Sequence, residues 1–341
     1  MAVDGHTIGR NVRVSPLGFG GAPIGNLYTP VSEDDALGAL ETALHQGIRY
    51  FDTAPFYGHG LSEERMGRVL ADRPRDSFVI STKVGRLVSH EPSQRAGADV
   101  FAVAGRRAVF DYSREGVLRS FEASLGRLGV TRIDILFLHD IGSLTHGERH
   151  VEVLKLALDE ALPAMARLRD AGAVDAIGIG VNEQEVCLEV LPRFDLDCVM
   201  LAGRYTLLEQ QHSVEFMAEA QARGVRVLVA GAYNSGLLGP ASAPGTTYNY
   251  APVDAATLER ARGLYAQCAL EGVDVGAAAL QFPLAHPAVA GVVAGQRTTE
   301  EVLSAVTRMK TPIPARLWES VKRTGFLPAD AIVPTGSAVP A

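Results

Sequence analysis

Eight short runs rich in apolar and β-branched residues recur along the chain, separated by longer stretches with helical periodicity. This alternation restricts the fold more than any other feature. The runs are VSPLGFGG (14–21), GIRYFDTA (47–54), SFVISTKVG (77–85), RIDILFLHD (132–140), AVDAIGIGV (173–181), DCVMLAG (197–203), VRVLVAGA (225–232) and AVAGVVAG (288–295). Strands joined by crossover helices must be parallel, and parallel sheets are covered on both faces, so their strands are nearly continuous in apolar residues. Eight such units predict an α/β fold of one closed (β/α)8 TIM barrel, a single domain spanning residues 1–341. The doubly wound alternative wants G-x-G-x-x-G after the first strand. In GFGGAPIG (18–25) a glycine three places after Gly20 would fall on Pro23, so that spacing is missed.

Local signals mark the helix ends. Ser32, Ser62 and Ser113 each precede an acidic first turn, where a hydroxyl can accept from an orphan N–H and carboxylates suit the helix dipole. Glycines in HQG, RLG, DAG and ARG supply left-handed caps at the other ends. Two connections are long for a barrel, residues 86–112 after the third strand and roughly 232–253 after the seventh. Loops after strands crowd the C-terminal face, which makes both expected walls of a substrate pocket. The segment after Pro328 reads as a C-terminal extension.

Composition narrows the partner. With 47% hydrophobic residues the chain can bury a large core, and a net charge of −7 without any basic run argues against a nucleic-acid binder. Cys187, Cys198 and Cys268 are widely spaced and form no C-x-x-C pair, so neither a disulfide framework nor a metal site is indicated. The opening MAVDGHTIGRNV has no apolar signal-like region, and no run approaches the roughly 18 residues of a membrane span. A cytoplasmic protein with a small-molecule partner, no membrane and no nucleic acid is expected. Oligomeric state is not readable.

Four ionisable residues fall at the ends of consecutive strands: Asp52 and then Tyr57 after the second, Lys83 on the third, His139 on the fourth. Each alone has an ordinary reading: a turn cap, a rim aromatic, or a satisfied polar histidine. A barrel, however, brings these ends to one mouth. A phenol titrates near 10, a lysine ammonium beside it favours the phenolate, and a carboxylate holds that lysine charged. With a histidine to orient a substrate oxygen, the set is a proton donor or acceptor for an alcohol or carbonyl, as hydride transfer requires.

FDTAPFYGHGLSEERMGRVL (51–70), STKVG (81–85) and LFLHD (136–140), in this order, resemble the signatures of the aldo-keto reductase family. The likeness runs from about residue 12 to 325. It implies a barrel that binds an extended nicotinamide dinucleotide, a tetrad of Asp52, Tyr57, Lys83 and His139, and Tyr57 as the proton-transferring residue. It also implies cofactor contacts from Gly21, Asp52, Asn182, Ala230, Ser235, Gly236, Leu237, Gly295, Gln296, Arg297 and Glu301. Asn182 lies where the family's asparagine meets the nicotinamide carboxamide, although a helix N-cap before EQEV is an equal reading. Ala202 stands where a glutamine is usual. The aromatic that commonly stacks on the nicotinamide falls at Ala230, with Tyr233 nearby. In GQRTTEEV (295–302), Glu301 occupies the place of an arginine in the NADP-preferring pattern, which leans toward NAD, while Arg297 keeps NADP open.

FDYS (110–113) and LAGRYTLLEQ (201–210) further resemble the branch of L-fucose and D-threo-aldose 1-dehydrogenases and of pyridoxal 4-dehydrogenase. The resemblance implies NAD(P)-dependent oxidation of an aldose such as L-fucose or D-arabinose at C1 to the lactone, with Tyr57 as general base. The alternatives are oxidation of pyridoxal hemiacetal to 4-pyridoxolactone, a general aldehyde reductase, and a non-catalytic redox-sensing subunit that only binds cofactor.

Overall fold

In the computed structural model, which describes residues 7–240, 242–249 and 251–335, each of the eight runs contributes one parallel strand of a closed barrel. The strands are β1 (Leu17–Gly20), β2 (Tyr50–Asp52), β3 (Val79–Val84), β4 (Ile135–His139), β5 (Ala176–Val181), β6 (Cys198–Ala202), β7 (Arg226–Ala230) and β8 (Val289–Gly295). Their spatial order is their chain order, and β8 closes on β1. Register aligns the C-terminal ends: Gly20 pairs with Gly295 and Asp52, Asp52 with Ser81, His139 with Gly180, and Ala202 with Ala230. The ends that carry the polar residues therefore form a ring around one mouth.

The core has two layers. Inside the barrel, Tyr50, Ile135, Phe137, Met200, Leu228 and Val293 interdigitate; an N-terminal hairpin of Thr7–Ile8 and Val12–Arg13 packs Ile8 and Val12 against them. Ile8 is fully buried, and its side chain contributes about 1.5–3 kcal/mol by leaving water. Outside, the helices lay their apolar faces on the strands. Cys187, Cys198 and Cys268 are free and buried. Among the described residues no helix is long and apolar enough to cross a membrane, and no cluster of three or more His, Cys, Asp or Glu could hold a metal ion. Residues 336–341, the last part of the expected C-terminal extension, lie outside the described residues; so does the opening MAVDGH segment, residues 1–6.

The helix signals divide instructively. Ser32 caps the helix Glu33–His45 by accepting from the Asp35 N–H at 3.0 Å, and Ser113 caps Arg114–Leu128 from the Gly116 N–H at 3.1 Å. Gly47, Gly129, Gly172 and Gly224 all take positive φ at helix ends. Ser62 is a correction. Its helix begins at Leu61 behind Gly60, and the Ser62 hydroxyl instead donates to the Gly21 carbonyl at 2.8 Å and lies 2.8 Å from the Thr53 hydroxyl. A tertiary partner outcompetes the local cap, and the ends of β1 and β2 are tied together.

The long connection 86–112 is a β-ribbon, Arg86–His90 antiparallel to Arg106–Phe110. Its tip folds back over the mouth. The Tyr28 N–H donates to the Val100 carbonyl at 2.8 Å, the Ala102 N–H to the Asn26 carbonyl at 2.9 Å, and Leu27 bridges Phe101. The connection after β7 contains a two-residue hairpin, Thr247–Tyr248 with Ala251–Pro252.

Candidate active site

At the mouth, Asp52, Lys83, Tyr57 and His139 come together. The Lys83 ammonium donates to both Asp52 oxygens, at 2.9 and 2.7 Å, and to the Thr53 carbonyl at 2.9 Å. All three of its N–H donors are thus engaged. Ser81, one strand over, donates to Asp52 Oδ1 at 2.7 Å, and its hydroxyl also lies 2.9 Å from that of Tyr50. Lys83 and Asp52 are 2% exposed, so the pair is isolated from water and either partner alone would be costly. Burial pushes the Asp52 carboxyl up, and Lys83 and Ser81 pull it back.

Lys83 Nζ lies 4.6 Å from the centre of the Tyr57 ring, above its face. This differs from a lysine hydrogen-bonded to the phenol: its charge reaches Tyr57 only through space. Burial and the nearby Asp52 and Asp140 carboxylates raise the Tyr57 phenol well above its ordinary range, against Arg86. The His139 ring stands edge-on to Tyr57, centroids 5.9 Å apart. Burial, reinforced by Arg86 and Lys83, holds His139 well below the usual histidine range, so it is a neutral imidazole at physiological pH.

Behind His139 lies a group that the strand-end pattern did not single out. Arg86 donates to Asp140 Oδ2 at 2.5 Å, and its guanidinium is sandwiched between Phe56 at 3.8 Å and Phe110 at 4.5 Å. Both charges are under 9% exposed. Burial raises Asp140, and Arg86 and Lys83 lower it. The signal was present in the chain: an arginine three places after Lys83 and an aspartate directly after His139, just past the ends of two adjacent strands. His59, from YGHG, is also buried, with Nε2 3.1 Å from Asp99 Oδ2, and so ties the ribbon to the loop after β2.

One cavity joins these groups. Its walls include Ala22, Leu27, Phe56, Tyr57, Lys83, Val100, Phe101, His139, Asp140, Val181, Asn182, Met200, Ala202 and Ala230. The ribbon supplies Val100 and Phe101, as expected of a pocket wall. The second long connection does not line it among the described residues, which corrects that expectation. Nor does Asn182 cap a helix: the next one, Glu185–Val190, starts behind Gln184, and the Asn182 amide donates to Asp140 Oδ1 at 3.2 Å. Tyr233 is engaged elsewhere, with Arg308 donating to its hydroxyl at 3.4 Å.

The remaining candidates cluster around β1, β7 and β8. The Gly21 N–H donates to the Asp52 carbonyl at 2.8 Å, and a Cβ there would sit 2.5 Å from Met66 and 2.6 Å from Ser62, so only glycine fits. After β7, Asn234, Ser235 and Gly236 take left-handed φ values of 48°, 57° and 86° in succession. Such turns point backbone N–H groups into a concavity suited to anions. Leu237 is fully buried in the core, and its N–H donates to the Asn234 carbonyl at 3.0 Å while its carbonyl accepts from the Gly245 N–H at 3.1 Å, so it closes this turn rather than facing a ligand. Gly295 ends β8, and Gln296 is 1% exposed with no protein partner on either end of its amide. A buried unpaired amide costs about 1–3 kcal/mol and calls for an absent partner. These features fit the polar, phosphate-bearing body of a dinucleotide. Glu301, by contrast, has local partners. Its N–H donates to Thr298, its carboxylate accepts from the Arg297 N–H at 2.8 Å, and it pairs with the Arg297 guanidinium at 3.2 Å.

Comparison with known proteins agrees with this geometry. Residues 16–324 match the aldo/keto reductase family. The chain is 39% identical over 341 residues to pyridoxal 4-dehydrogenase of Microbacterium luteolum, covering 96% of this chain and 98% of that protein. It is 37% identical over 321 residues to D-threo-aldose 1-dehydrogenase of a Pseudomonas species, covering 92% and 95%. Among solved structures, the holo form of an aldo-keto reductase from Bacillus halodurans superposes with a TM-score of 0.73 at 26% identity, over 94% of this chain and 96% of that one. Barrel, mouth and likeness converge: the chain is an oxidoreductase that belongs to the aldo/keto reductase family.

Proposed function

We propose that the protein oxidises a cyclic hemiacetal to a lactone with a nicotinamide dinucleotide, and that Tyr57 takes the hydroxyl proton. The observation that carries this reading is the convergence of Tyr57, Lys83 and His139 on one cavity, with Lys83 anchored by Asp52. When bound, the cofactor supplies the hydride acceptor and a positive ring charge. Tyr57 Oη accepts the proton of the substrate hydroxyl. To do so Tyr57 must be the phenolate, which the Lys83 ammonium, with Nζ 4.6 Å from the ring centre and its donors already engaged, stabilises by its field; proton uptake returns it to the phenol. A neutral His139 offers an N–H to the reacting oxygen and holds it toward Tyr57. Asp52 keeps Lys83 charged and fixed. Carbonyl reduction uses the same groups in reverse, and the raised Tyr57 phenol is then the acid.

In this reading Gln296, Gly295, Gly21 and the backbone of Ser235 and Gly236 hold the dinucleotide, with Leu237 closing that turn and Asn182 and Ala230 beside the nicotinamide. The Arg297–Glu301 pair favours NAD over NADP, because a carboxylate at that place repels a 2′-phosphate. Leu27, Phe56, Val100, Phe101 and Met200 make one side of the cavity apolar. A flat aromatic hemiacetal of the pyridoxal type suits these apolar walls better than an aldose, whose hydroxyls would find no partners on them. An aldose such as L-fucose or D-arabinose is the second reading, favoured by the polar side formed by Asp140 and Asn182.

The test is oxidation of pyridoxal, L-fucose and D-arabinose, and reduction of a simple aldehyde, each with NAD(H) and NADP(H). NAD-linked lactone formation from pyridoxal is expected. Preference for a sugar selects the second reading, and cofactor binding without turnover on any substrate overturns the proposal in favour of a non-catalytic subunit.

A further inference from the structure

Asp140 occupies an unusual position. It takes a left-handed backbone at φ 49°, a conformation that glycine favours and that aspartate, unlike most residues, adopts readily. Its N–H donates to the Gly180 carbonyl at 2.9 Å, which fixes the turn after His139. Its carboxylate then meets three groups: Arg86 on Oδ2 at 2.5 Å, His139 Nε2 at 3.5 Å from the same oxygen, and the Asn182 amide nitrogen at 3.2 Å from Oδ1. Asp140 and Asn182 both line the cavity.

An ionised carboxylate only accepts hydrogen bonds, and an arginine is never deprotonated in a protein. The Arg86 partner therefore keeps Asp140 an acceptor, and an acceptor facing Asn182 admits only the NH2 end of its amide. The carbonyl end is left toward the cavity as an acceptor. A free asparagine would turn either end inward with little difference in energy.

We propose that Asp140, held by Arg86, is a positioning residue that sets which end of the Asn182 amide faces the cavity, so that a ring substituent bearing an N–H donor is selected. The inference rests on the reading that Asn182 meets the nicotinamide carboxamide. Its signature is discrimination between the carboxamide and an acetyl group, which is similar in shape and has no N–H.

Isothermal titration calorimetry with NAD+ and with its 3-acetylpyridine analogue measures this directly, without turnover. The wild-type protein is expected to bind NAD+ about tenfold more tightly than the analogue, the worth of one hydrogen bond. In Asp140→Asn the preference falls to about threefold or less, because an amide at 140 also donates and no longer dictates the Asn182 orientation. Asn182→Ala abolishes the preference. A merely structural loss weakens both ligands equally and leaves the ratio intact. If leaving Arg86 unpaired prevents Asp140→Asn from folding, the double variant Arg86→Gln with Asp140→Asn removes both charges and carries the same expectation. A wild-type ratio in the Asp140 variants, with the ratio lost in Asn182→Ala, overturns the role of Asp140 alone. A ratio that survives Asn182→Ala overturns the underlying placement of the carboxamide as well.

Discussion

The two halves of the mouth differ in how their buried charged and amide groups are paired. Around β2 to β5 the charged groups largely satisfy one another: Lys83 has three acceptors, Asp52 has Ser81 and Lys83, and Asp140 has Arg86 and Asn182, while Arg86 Nε and His59 Nδ1 are left without a hydrogen-bond partner. Around β7 and β8, Gln296 is buried with neither end of its amide paired, and three successive residues hold left-handed backbone. A site that moves protons gains from geometry fixed before substrate arrives. A site that receives a large polar ligand keeps hydrogen-bonding capacity for it, at some expense in the stability of the ligand-free protein.

Substitutions break the two halves differently. The largest effect is expected for Tyr57→Phe, which removes the proton acceptor while leaving the dinucleotide contacts intact. Steady-state turnover should fall by about 10²–10⁴-fold with the cofactor Kd nearly unchanged; turnover near wild type would refute Tyr57 as the acid-base group. Next comes Lys83→Met, which strands a buried carboxylate. Urea unfolding should show a loss of about 3–5 kcal/mol, and a loss under 1 kcal/mol would mean that Asp52 finds another partner.

Acid should bear chiefly on the proton half. An unfolded histidine titrates near 6.5, whereas folded His139 is held well below that. Its preference for the folded state is fully present above about pH 6.5 and is lost as pH falls from there toward the depressed folded value. His139→Gln should therefore flatten the decline of stability between about pH 6.5 and 5, measured as Tm against pH. An unchanged slope would assign the decline to other groups, such as His59 and His146, which are also lowered by burial.

The cofactor half should respond in the opposite sense. Gln296→Leu removes an unpaired buried amide, so Tm of the ligand-free protein should hold or rise while cofactor affinity weakens about tenfold. Lost stability with unchanged affinity would show that Gln296 serves the fold instead. Smallest is Glu301→Ala, which costs about 0.5–1 kcal/mol of helix capping and frees Arg297. The NADP-to-NAD affinity ratio should rise a few-fold, and an unmoved ratio would remove this pair from cofactor choice.

Much of this was legible in the chain because its signals are local or periodic. Parallel strands covered on both faces must be apolar throughout, so eight runs gave eight strands with their order and their polar C-terminal residues. Ser32 and Ser113 cap helices as their spacing predicts, since nothing distant competes for their hydroxyls. Where a distant partner does compete, the local expectation fails. Ser62 leaves its cap for Gly21 and Thr53, and Asn182 is held by Asp140.

By itself, then, the amino-acid sequence determined the barrel and which residues stand at its mouth, because periodicity and strand-end position are properties of a linear chain. Only the tertiary structure decided how those residues divide their hydrogen bonds. Arg86 and Asp140 meet just beyond the ends of two adjacent strands, Lys83 turns its donors to Asp52 and Thr53 rather than to Tyr57, and the 86–112 ribbon folds over the cavity while the other long connection does not. Each outcome is a competition among partners far apart in the chain, and it is settled by which of them the closed sheet brings within about 3 Å.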